Sequence, residues 1–197
     1  MDYQDQKIDE GAEAIIKKVY LKDIPLIKKI RPAKDYRPKE LDDKLRYERT
    51  KVEAKIMHHA KKAQVLVPYV VGVGKDTILI EFIEGKTLNK FKKIPKKIFQ
   101  KAAFYLAQLH KINIIHGDYT FANLMLDDNK NLYVIDFGLS FISHDNEDKA
   151  VDLLTMLKSL PKQKSNLFLN YYRKYGSENI CTLAKKIQKR ARYENKD

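Results

Sequence analysis

Two short polar segments in the second half of the chain place three oxygen-bearing side chains at fixed intervals. The first, HGDYTFAN, covers residues 116–123, and the second, DFG, covers residues 136–138. Asn123 follows Asp118 by five positions, and Asp136 follows Asn123 by thirteen. Carboxylate and amide oxygens are the usual ligands of hard cations such as Mg²⁺, and a carboxylate can position or deprotonate a hydroxyl or a water. The pattern therefore predicts Asn123 and Asp136 as metal ligands and Asp118 as a base.

These intervals equal those between the catalytic Asp, the metal-binding Asn and the DFG Asp of protein kinases, which the chain resembles here. Phosphoryl transfer needs Mg²⁺ to bridge phosphate oxygens, so the chemistry explains the residue types. The apolar runs 124–126 and 134–135 predict a short hairpin that sets the two metal ligands side by side. Either motif alone could arise by chance. Together, at these offsets, they indicate a nucleotide-dependent enzyme.

The first half of the chain offers a candidate phosphate-binding lysine. The run Leu26-Ile27-Lys28 stands where the V-A-I-K strand of a kinase would be. Strand alternation puts Leu26 and Lys28 on one face, for adenine and for the α/β-phosphates, and turns Lys29 away. A shift of one residue remains the alternative. Glu53, on the following helix, is expected to pair with the lysine, with Glu48 as its alternative.

Periodicity gives the order of the elements. Residues 12–31 predict two strands around a turn at Lys22–Asp23, residues 40–62 predict a helix, and residues 67–74 and 77–83 predict two more strands. Later helices are expected to start at Pro95 and to cover 148–160, 163–175 and 177–192. A strand-rich half with one main helix, followed by a mainly helical half, predicts an α+β, two-lobed plan. The resemblance to protein kinases implies that this plan is a minimal kinase-like fold. The expected lobes are residues 1–85 and 86–197.

Several less common motifs narrow the resemblance, which covers nearly the whole chain. The chain is similar to the small atypical Ser/Thr kinase/ATPase subunit of the archaeal KEOPS complex, which supports threonylcarbamoyl modification of tRNA. The matching pieces are GAEA at 11–14, LIKKIR at 26–31, Tyr36-Arg37-Pro38, Arg49-Thr50 with Glu53-Ala54, IEG at 83–85, HGDYTFAN, IDFGLS at 135–140 and EDKAVDL at 147–153. The one-glycine GAEA and the EDKAVDL run discriminate far better than DFG.

The resemblance implies ATP and Mg²⁺ (or Mn²⁺) as cofactors, with Asp118, Lys28 and Glu53 catalytic. It also implies a loop that covers ATP differently from a three-glycine loop, with Glu13 either directed at the phosphates or solvated. The ATP-binding residues implied are Gly11, Ala12, Glu13, Ala14, Leu26, Lys28, Glu81 and Ile83. His116 and Asp152 are expected to support the catalytic loop.

The same resemblance implies three partners: the threonylcarbamoyl-transferase subunit, a small regulatory subunit on the N-terminal lobe, and tRNA. Some archaeal relatives are fused to the transferase, and the sequence is compatible with a free chain or a fused one. Only sixteen positions separate Asp136 from Asp152, too few for a peptide-docking activation segment. ATP hydrolysis or autophosphorylation is therefore favoured over broad protein phosphorylation.

Two other functions compete with this one. A small-molecule kinase of the aminoglycoside or choline type shares the HGDxxxxN pattern but normally has a larger substrate-binding lobe. A catalytically silent RNA-binding scaffold would not need Lys28, Glu53, Asp118, Asn123 and Asp136 together. Turnover of ATP separates the three.

Charge is unevenly distributed in a chain of net charge +13. Residues 158–192 hold ten Lys or Arg against Glu178 alone, which favours a polyanionic partner such as RNA; solvated lysine-rich helix faces are the alternative. The expected RNA-binding residues are Lys185, Lys186, Lys189, Arg190 and Arg192. A single cysteine, no apolar stretch long enough for a bilayer and no signal-peptide core predict a cytoplasmic protein without a membrane.

Overall fold

A computed structural model of the chain describes residues 6–10 and 14–194. The chain divides into two compact units: unit 1 contains residues 1–59 and 67–84, and unit 2 contains residues 60–66 and 85–197. The division after Glu84 lies beside the lobe boundary expected at Gly85. The end of the main helix and the loop after it, residues 60–66, belong to unit 2 rather than to the N-terminal lobe.

Unit 1 is built on a five-stranded antiparallel sheet with the order β1-β2-β3-β5-β4. Its strands are β1 (Gln6–Glu10), β2 (Ile15–Leu21), β3 (Ile24–Ile30), β4 (Val70–Val73) and β5 (Thr77–Glu81). Lys22 and Asp23 join β2 to β3 and both have positive φ angles, 47° and 65°, as a two-residue hairpin turn of type I′ requires. The expected turn at Lys22–Asp23 is confirmed.

One long helix, α1 (Lys39–Lys62), follows β3. Its first turn carries Glu40 and Asp42, which suit the positive end of a helix. Ile56 and Met57 are buried, whereas Val52, which the sequence placed in the apolar stripe, is 45% exposed. The stripe of α1 is therefore narrower than the sequence suggested.

Unit 2 combines short strands with four helices among its described residues. The strands are β6 (Gly85–Thr87), β7 (Ile114–Ile115), β8 (Leu124–Asp127), β9 (Leu132–Val134) and β10 (Phe141–Ile142), arranged as β6-β8-β9 and β10-β7. The helices are α2 (Lys96–Lys111), α3 (Asn146–Ser159), α4 (Lys162–Tyr175) and α5 (Glu178–Glu194). The antiparallel β8–β9 hairpin is the one expected between Asn123 and Asp136.

The helices of unit 2 pack in pairs, α2 against α4 and α3 against α5. The apolar face expected for α2 is fully buried, from Phe99 through Leu106 to Leu109. Asp145 caps α3 by accepting a hydrogen bond from the backbone N–H of Glu147 at 2.8 Å.

The longer predicted elements are confirmed within one to three residues at their ends. Strands β1, β6, β7 and β10 were not predicted. Among the described residues, no helix is both long enough and apolar enough to cross a membrane.

Candidate active site

The loop that carries Asp118 is held from below by the buried carboxylate of Asp152. One oxygen of Asp152 accepts from the backbone N–H of His116 at 2.8 Å, and the other accepts from the backbone N–H of Gly117 at 3.0 Å. Gly117 has φ +82°, and a Cβ there would lie 2.5 Å from the carbonyl oxygen of Leu139, so a glycine is required. The contact expected of Asp152 is present, and it fixes the backbone immediately before Asp118.

A second buried histidine extends this support. Nε2 of His110 lies 3.2 Å from Asp152, and Nδ1 of His110 lies 2.7 Å from the hydroxyl of Tyr172. Burial alone would raise the pKa of Asp152, but its hydrogen bonds with the ring of His110 and with the backbone N–H of His116 hold that pKa below the ordinary value. Burial also raises the pKa of Tyr172. The sequence did not point to Tyr172, which comes from α4.

His116 is fully buried and its two ring nitrogens have different partners. Nδ1 accepts from the backbone N–H of Asp118 at 3.3 Å, and Nε2 donates to the carbonyl oxygen of Ile135 at 3.2 Å. Burial lowers the pKa of His116, and this hydrogen-bond pattern fits the neutral ring with its proton on Nε2. The ring therefore ties the catalytic loop to the strand end that precedes Asp136.

Asp118 and Asn123 are in direct contact. The Nδ2 group of Asn123 donates to the backbone oxygen of Asp118 and to its carboxylate oxygen Oδ2, both at 2.8 Å. Both partners are acceptors, so the amide nitrogen must face Asp118 and the amide oxygen Oδ1 must point elsewhere. The backbone oxygen of Asn123 accepts from the N–H of Ile135 at 3.0 Å, which connects Asn123 to the residue before Asp136.

Asp136 occupies a strained position two residues after the end of β9. Its φ is +60°, a left-handed value that is uncommon for a residue with a Cβ. Its Oδ1 accepts from the backbone N–H of Gly138 at 3.2 Å, and the next residue, Phe137, is buried against the ring of His116 with centroids 4.8 Å apart. The buried Phe137 anchors the turn, and the carboxylate of Asp136 lies exposed at its surface.

The donor set at this position fits Mg²⁺. The carboxylate of Asp136 and the Oδ1 atom of Asn123 are hard oxygen ligands of the kind that Mg²⁺ takes in small number beside phosphate oxygens and water. Among the described residues, no group of three or more His, Cys, Asp or Glu side chains could hold a metal by itself. A metal here would therefore depend on oxygens supplied by a bound phosphate ligand.

In unit 1, the carboxylate of Glu53 binds two cations. Nζ of Lys29 lies 2.7 Å from its Oε1, and a guanidinium nitrogen of Arg31 lies 2.5 Å from its Oε2. All three side chains are at most 9% exposed. We expected Lys28 to be the partner of Glu53, and that assignment is wrong. The partner is the next residue, Lys29, so the predicted register of β3 was off by one. Lys28 is half-buried on the other face of β3.

This shift has a consequence for adenine. Alternation along β3 places Ile27 on the face of Lys29 and leaves Leu26, with Lys28, on the opposite face. The expected adenine contact therefore moves from Leu26 to Ile27. Arg31 was missed, although its position two residues after Lys29 puts it on the same face.

The other residues predicted to bind ATP lie in two places, the segment 11–14 before β2 and the end of β5 with the residues after it. Gly11, Ala12 and Glu13 lie outside the described residues, and Ala14, which follows them, is buried. Oε2 of Glu81 accepts from the backbone N–H of Tyr69 at 3.1 Å, which ties the end of β5 to the segment before β4. Ile83 is 9% exposed. Their role toward a nucleotide stays a prediction.

The basic helix α5 has two distinct faces. Ile180, Cys181 and Ala184 are buried, and α5 packs on α3 through this face. The exposed cations are Lys185, Lys186, Lys189 and Arg190, while the side chain of Arg192 lies outside those described. Its amphipathic pattern thus leaves a positive surface on unit 2.

Comparison with known proteins agrees with this geometry. The model of the RIO domain matches residues 4–177. The Rio2 kinase from Chaetomium thermophilum, solved as an ADP/Mg²⁺-phosphoaspartate complex, superposes with a TM-score of 0.70 at 14% identity, covering 90% of this chain and 63% of that one. This likeness shows the shared kinase-like fold.

The chain therefore belongs to the RIO-domain family of kinase-like proteins. Within it, the relatives include a probable serine/threonine-protein kinase BUD32 homolog from Archaeoglobus fulgidus, 37% identical over 95% of this chain and 96% of that protein. The EKC/KEOPS complex subunit BUD32 of Encephalitozoon cuniculi is 35% identical, over 90% of this chain and 89% of its own length.

A further relative is longer. The probable bifunctional tRNA threonylcarbamoyladenosine biosynthesis protein of Methanosphaera stadtmanae is 38% identical over 94% of this chain. The chain spans 36% of that protein's length.

Proposed function

We propose that the chain is a Mg²⁺-dependent ATPase and atypical serine/threonine kinase that supports threonylcarbamoyladenosine modification of tRNA within a KEOPS-type complex. The observation that carries the proposal is the contact of Asp118 with Asn123 on a loop braced by Asp152, with Asn123 hydrogen-bonded to Ile135, the residue before Asp136. The names of the relatives support the connection to tRNA modification.

Asp118 is the proposed base. Its carboxylate is held by the amide of Asn123 at 2.8 Å and is partly exposed, so it can orient a water or a hydroxyl and take its proton. The oxygen so activated forms a bond to the γ-phosphorus of ATP. The bond from that phosphorus to the bridging oxygen breaks, and ADP leaves with the electron pair.

Asp136 and Oδ1 of Asn123 are the proposed ligands of Mg²⁺, which when bound neutralises charge on the phosphate oxygens. In unit 1, Lys29 replaces Lys28 as the proposed phosphate-binding lysine, and Glu53 holds its ammonium in place. Glu81 and Ile83 lie at the strand end proposed to offer backbone groups to adenine, and residues 11–14 are proposed to cover the nucleotide.

The segment between the DFG motif and α3, where a kinase would dock a protein substrate, is short. Only residues 139–145 separate the DFG motif from α3, and they contain the two-residue strand β10. This leaves little room for a surface that docks peptides, which favours water or a residue of the complex itself as the phosphoryl acceptor.

The proposed partners are the threonylcarbamoyl-transferase subunit, a small regulatory subunit that docks on the N-terminal lobe, and tRNA bound through the basic face of α5. The bifunctional relatives carry further sequence beyond the part matched here, and we propose that the transferase function belongs to it. A tRNA substrate and a single cysteine fit a cytoplasmic protein.

Release of labelled phosphate from radiolabelled ATP tests the proposal, with Mg²⁺ and with or without tRNA and the transferase. Asp118→Asn should lower turnover by about 10²- to 10⁴-fold while leaving nucleotide affinity nearly unchanged. Asp136→Ala should abolish the Mg²⁺-dependent turnover in a folded protein. Wild-type turnover in Asp136→Ala, or loss of affinity without loss of rate in Asp118→Asn, would refute these roles.

The basic face of α5 is tested separately. Replacing Lys185, Lys189 and Arg192 with Glu should weaken tRNA binding and tRNA-stimulated turnover but spare nucleotide binding. Unchanged tRNA affinity at low salt would show that α5 is not the tRNA site.

A further inference from the structure

Unit 1 contains a second positively charged site that the catalytic roles do not use. A pocket there is lined by Arg31, Pro32, Lys34, Arg37, Arg46 and Arg49, which come from the β3–α1 loop and the first half of α1. Five of these six residues are cationic, and among the described residues no carboxylate lines the pocket. The enclosed space of the pocket is only about 10 Å³, room for about one small atom group. It suits a single anionic group.

The cations of this pocket are fixed in place by carboxylates outside it. The guanidinium of Arg46 binds Asp42 at 2.7 Å and also contacts Asp43 and Asp76. Arg37 lies 3.6 Å from Asp42, and the guanidinium of Arg31 binds Glu53. Arg46 is held through all three of its nitrogens, whereas Arg31 and Arg37 each bind a carboxylate through one guanidinium nitrogen. The guanidinium groups of Arg31 and Arg37 therefore keep further N–H donors beyond those ion pairs.

This arrangement matches the chemistry of a phosphate group. Guanidinium groups present forked donors that bind phosphate oxygens in pairs, with stronger hydrogen bonds than neutral donors make. The neighbouring carboxylates offset part of the repulsion among the cations of the pocket, and a bound anion would offset the rest. Prior anchoring by the carboxylates also reduces the side-chain ordering that binding requires.

An exposed aromatic ring stands beside the pocket and indicates where the phosphate comes from. Tyr36 lies in the β3–α1 loop and is 75% exposed, with the guanidinium of Arg37 over its ring at 5.0 Å. Single-stranded RNA is bound by this combination of a cationic backbone site and an exposed ring on which a base stacks. A free phosphate ion would have no use for the ring.

We infer that this pocket, here called the arginine pocket, holds a backbone phosphate of an RNA strand while Tyr36 stacks on a neighbouring base. The inference deepens the proposed function, on which it rests for RNA as the substrate class. It is separable from that function, because RNA binding in the absence of ATP is read independently of ATP turnover.

Fluorescence anisotropy of a labelled single-stranded RNA of about ten nucleotides, a length within the site sizes of single-strand binders, tests the inference on the full chain. Tyr36→Ala should weaken binding about tenfold through the lost stack. The double variant Lys34→Gln with Arg37→Gln should weaken it by at least as much and reduce the slope of log affinity against log salt by about 1.

Matched controls are available on α1. Tyr47 is 41% exposed and has Nζ of Lys51 over its ring at 4.2 Å, so the pair repeats the chemistry of Tyr36 and Arg37, and neither Tyr47 nor Lys51 lines the arginine pocket. Tyr47→Ala and Lys51→Gln should leave RNA affinity within about twofold of the wild type. Basal ATP turnover without RNA should be the same in all these variants.

Two results would overturn the inference. One is RNA affinity that is equal in the wild type, Tyr36→Ala and the double variant. The other is a combination of two findings: inorganic phosphate shifts the NMR signal of the Arg31 side-chain N–H, and RNA affinity is the same in the variants as in the wild type. That combination would assign the pocket to free phosphate. Loss of RNA binding in these variants, in a protein that does not turn over ATP, would support the pocket and refute the proposed function instead.

Discussion

Units 1 and 2 each bury one carboxylate that organises a candidate catalytic group, but the two carboxylates are satisfied differently. Glu53 in unit 1 is balanced by two charged side chains, Lys29 and Arg31. Asp152 in unit 2 accepts from two backbone N–H groups and contacts His110. The first arrangement depends on charge balance between side chains. The second depends on the backbone geometry of residues 116 and 117, and at position 117 that geometry requires a glycine.

The difference teaches how each group is positioned. A long lysine side chain has many rotamers, and an ion pair with a buried carboxylate selects one of them. A catalytic aspartate on a loop has few rotamers of its own, and fixing its backbone is enough to fix its position. In unit 1 the buried carboxylate thus restrains the rotamer of a lysine side chain. In unit 2 it restrains the backbone of the loop before Asp118.

The largest expected effect is that of Glu53→Ala. Removing the carboxylate leaves two buried cations without compensation, and breaking such a buried arrangement costs about 3–5 kcal/mol. Urea unfolding should show this loss in the free energy of unfolding. Glu48→Ala, at an exposed site of the same helix, is the control and should change it by less than about 0.5 kcal/mol. An equal effect of the two variants would contradict the charge-balance account.

Asp152→Asn should have the next largest effect, about 2–3 kcal/mol. The amide has one acceptor oxygen where the carboxylate has two, so at least one backbone N–H of the loop loses a charge-assisted hydrogen bond. Amide hydrogen exchange of His116 and Gly117 should accelerate along with the loss of stability. Protection of both amides at the wild-type level would show that the loop is held by other contacts.

Lys29→Met is expected to cost about 1–2 kcal/mol of stability, because Glu53 keeps Arg31 as a partner, and to lower ATP turnover strongly. Lys28→Met, one residue earlier on the other face of β3, should change stability by about 0.5 kcal/mol or less and leave turnover nearly unchanged. Comparing Lys29→Met with Lys28→Met separates the effect of the ion pair on stability from the effect of the lysine on ATP turnover. A reversal of the two turnover effects would return the catalytic assignment to Lys28.

The smallest expected effect is a pH dependence in unit 2. Burial lowers the pKa of His116 in the folded state, so below its ordinary value of about 6.5 the unfolded chain binds more protons. The contribution of neutral His116 to the free energy of unfolding is therefore fully present above about pH 6.5. It falls as pH decreases toward the pKa of the folded state, with a slope of at most about 1.4 kcal/mol per pH unit. Urea unfolding at a series of pH values measures it.

His116→Asn is the matched variant, because the amide oxygen of Asn can replace Nδ1 as acceptor without a titration. Its stability should vary less with pH over that window than the wild type does. The exposed His58, changed to Gln, should leave the pH profile as it is. A profile that His116→Asn does not flatten would assign the acid sensitivity to other groups.

Much of this molecule was predictable because its chemistry is encoded locally. The intervals from Asp118 to Asn123 and Asp136 predicted a metal and base cluster, and periodicity predicted the helices and the longer strands. The lysine register was not predictable, since Lys28 and Lys29 are adjacent and identical and only the tertiary contact with Glu53 distinguishes them. Two-residue strands such as β7 lack a pattern long enough to detect.

The contacts that escaped prediction are long-range pairs of ordinary residue types. Arg31 reaches Glu53 across 22 positions, and Tyr172 reaches His110 across 62. Tyr172 belongs to no spacing pattern, and the alternation that places Arg31 on the face of Lys29 depends on a strand register that the sequence left open. Their roles follow only from burial and from the need to satisfy every buried polar group.

The orientation of the Asn123 amide bears on how the enzyme passes through its cycle. Because its nitrogen is committed to Asp118, the shape of the loop is maintained by the protein alone, before any cation arrives and after it departs. An aspartate at position 123 would set two like charges against each other and make the loop's order dependent on metal. Departure of the proposed product and metal would therefore leave the contact between Asn123 and Asp118 in place.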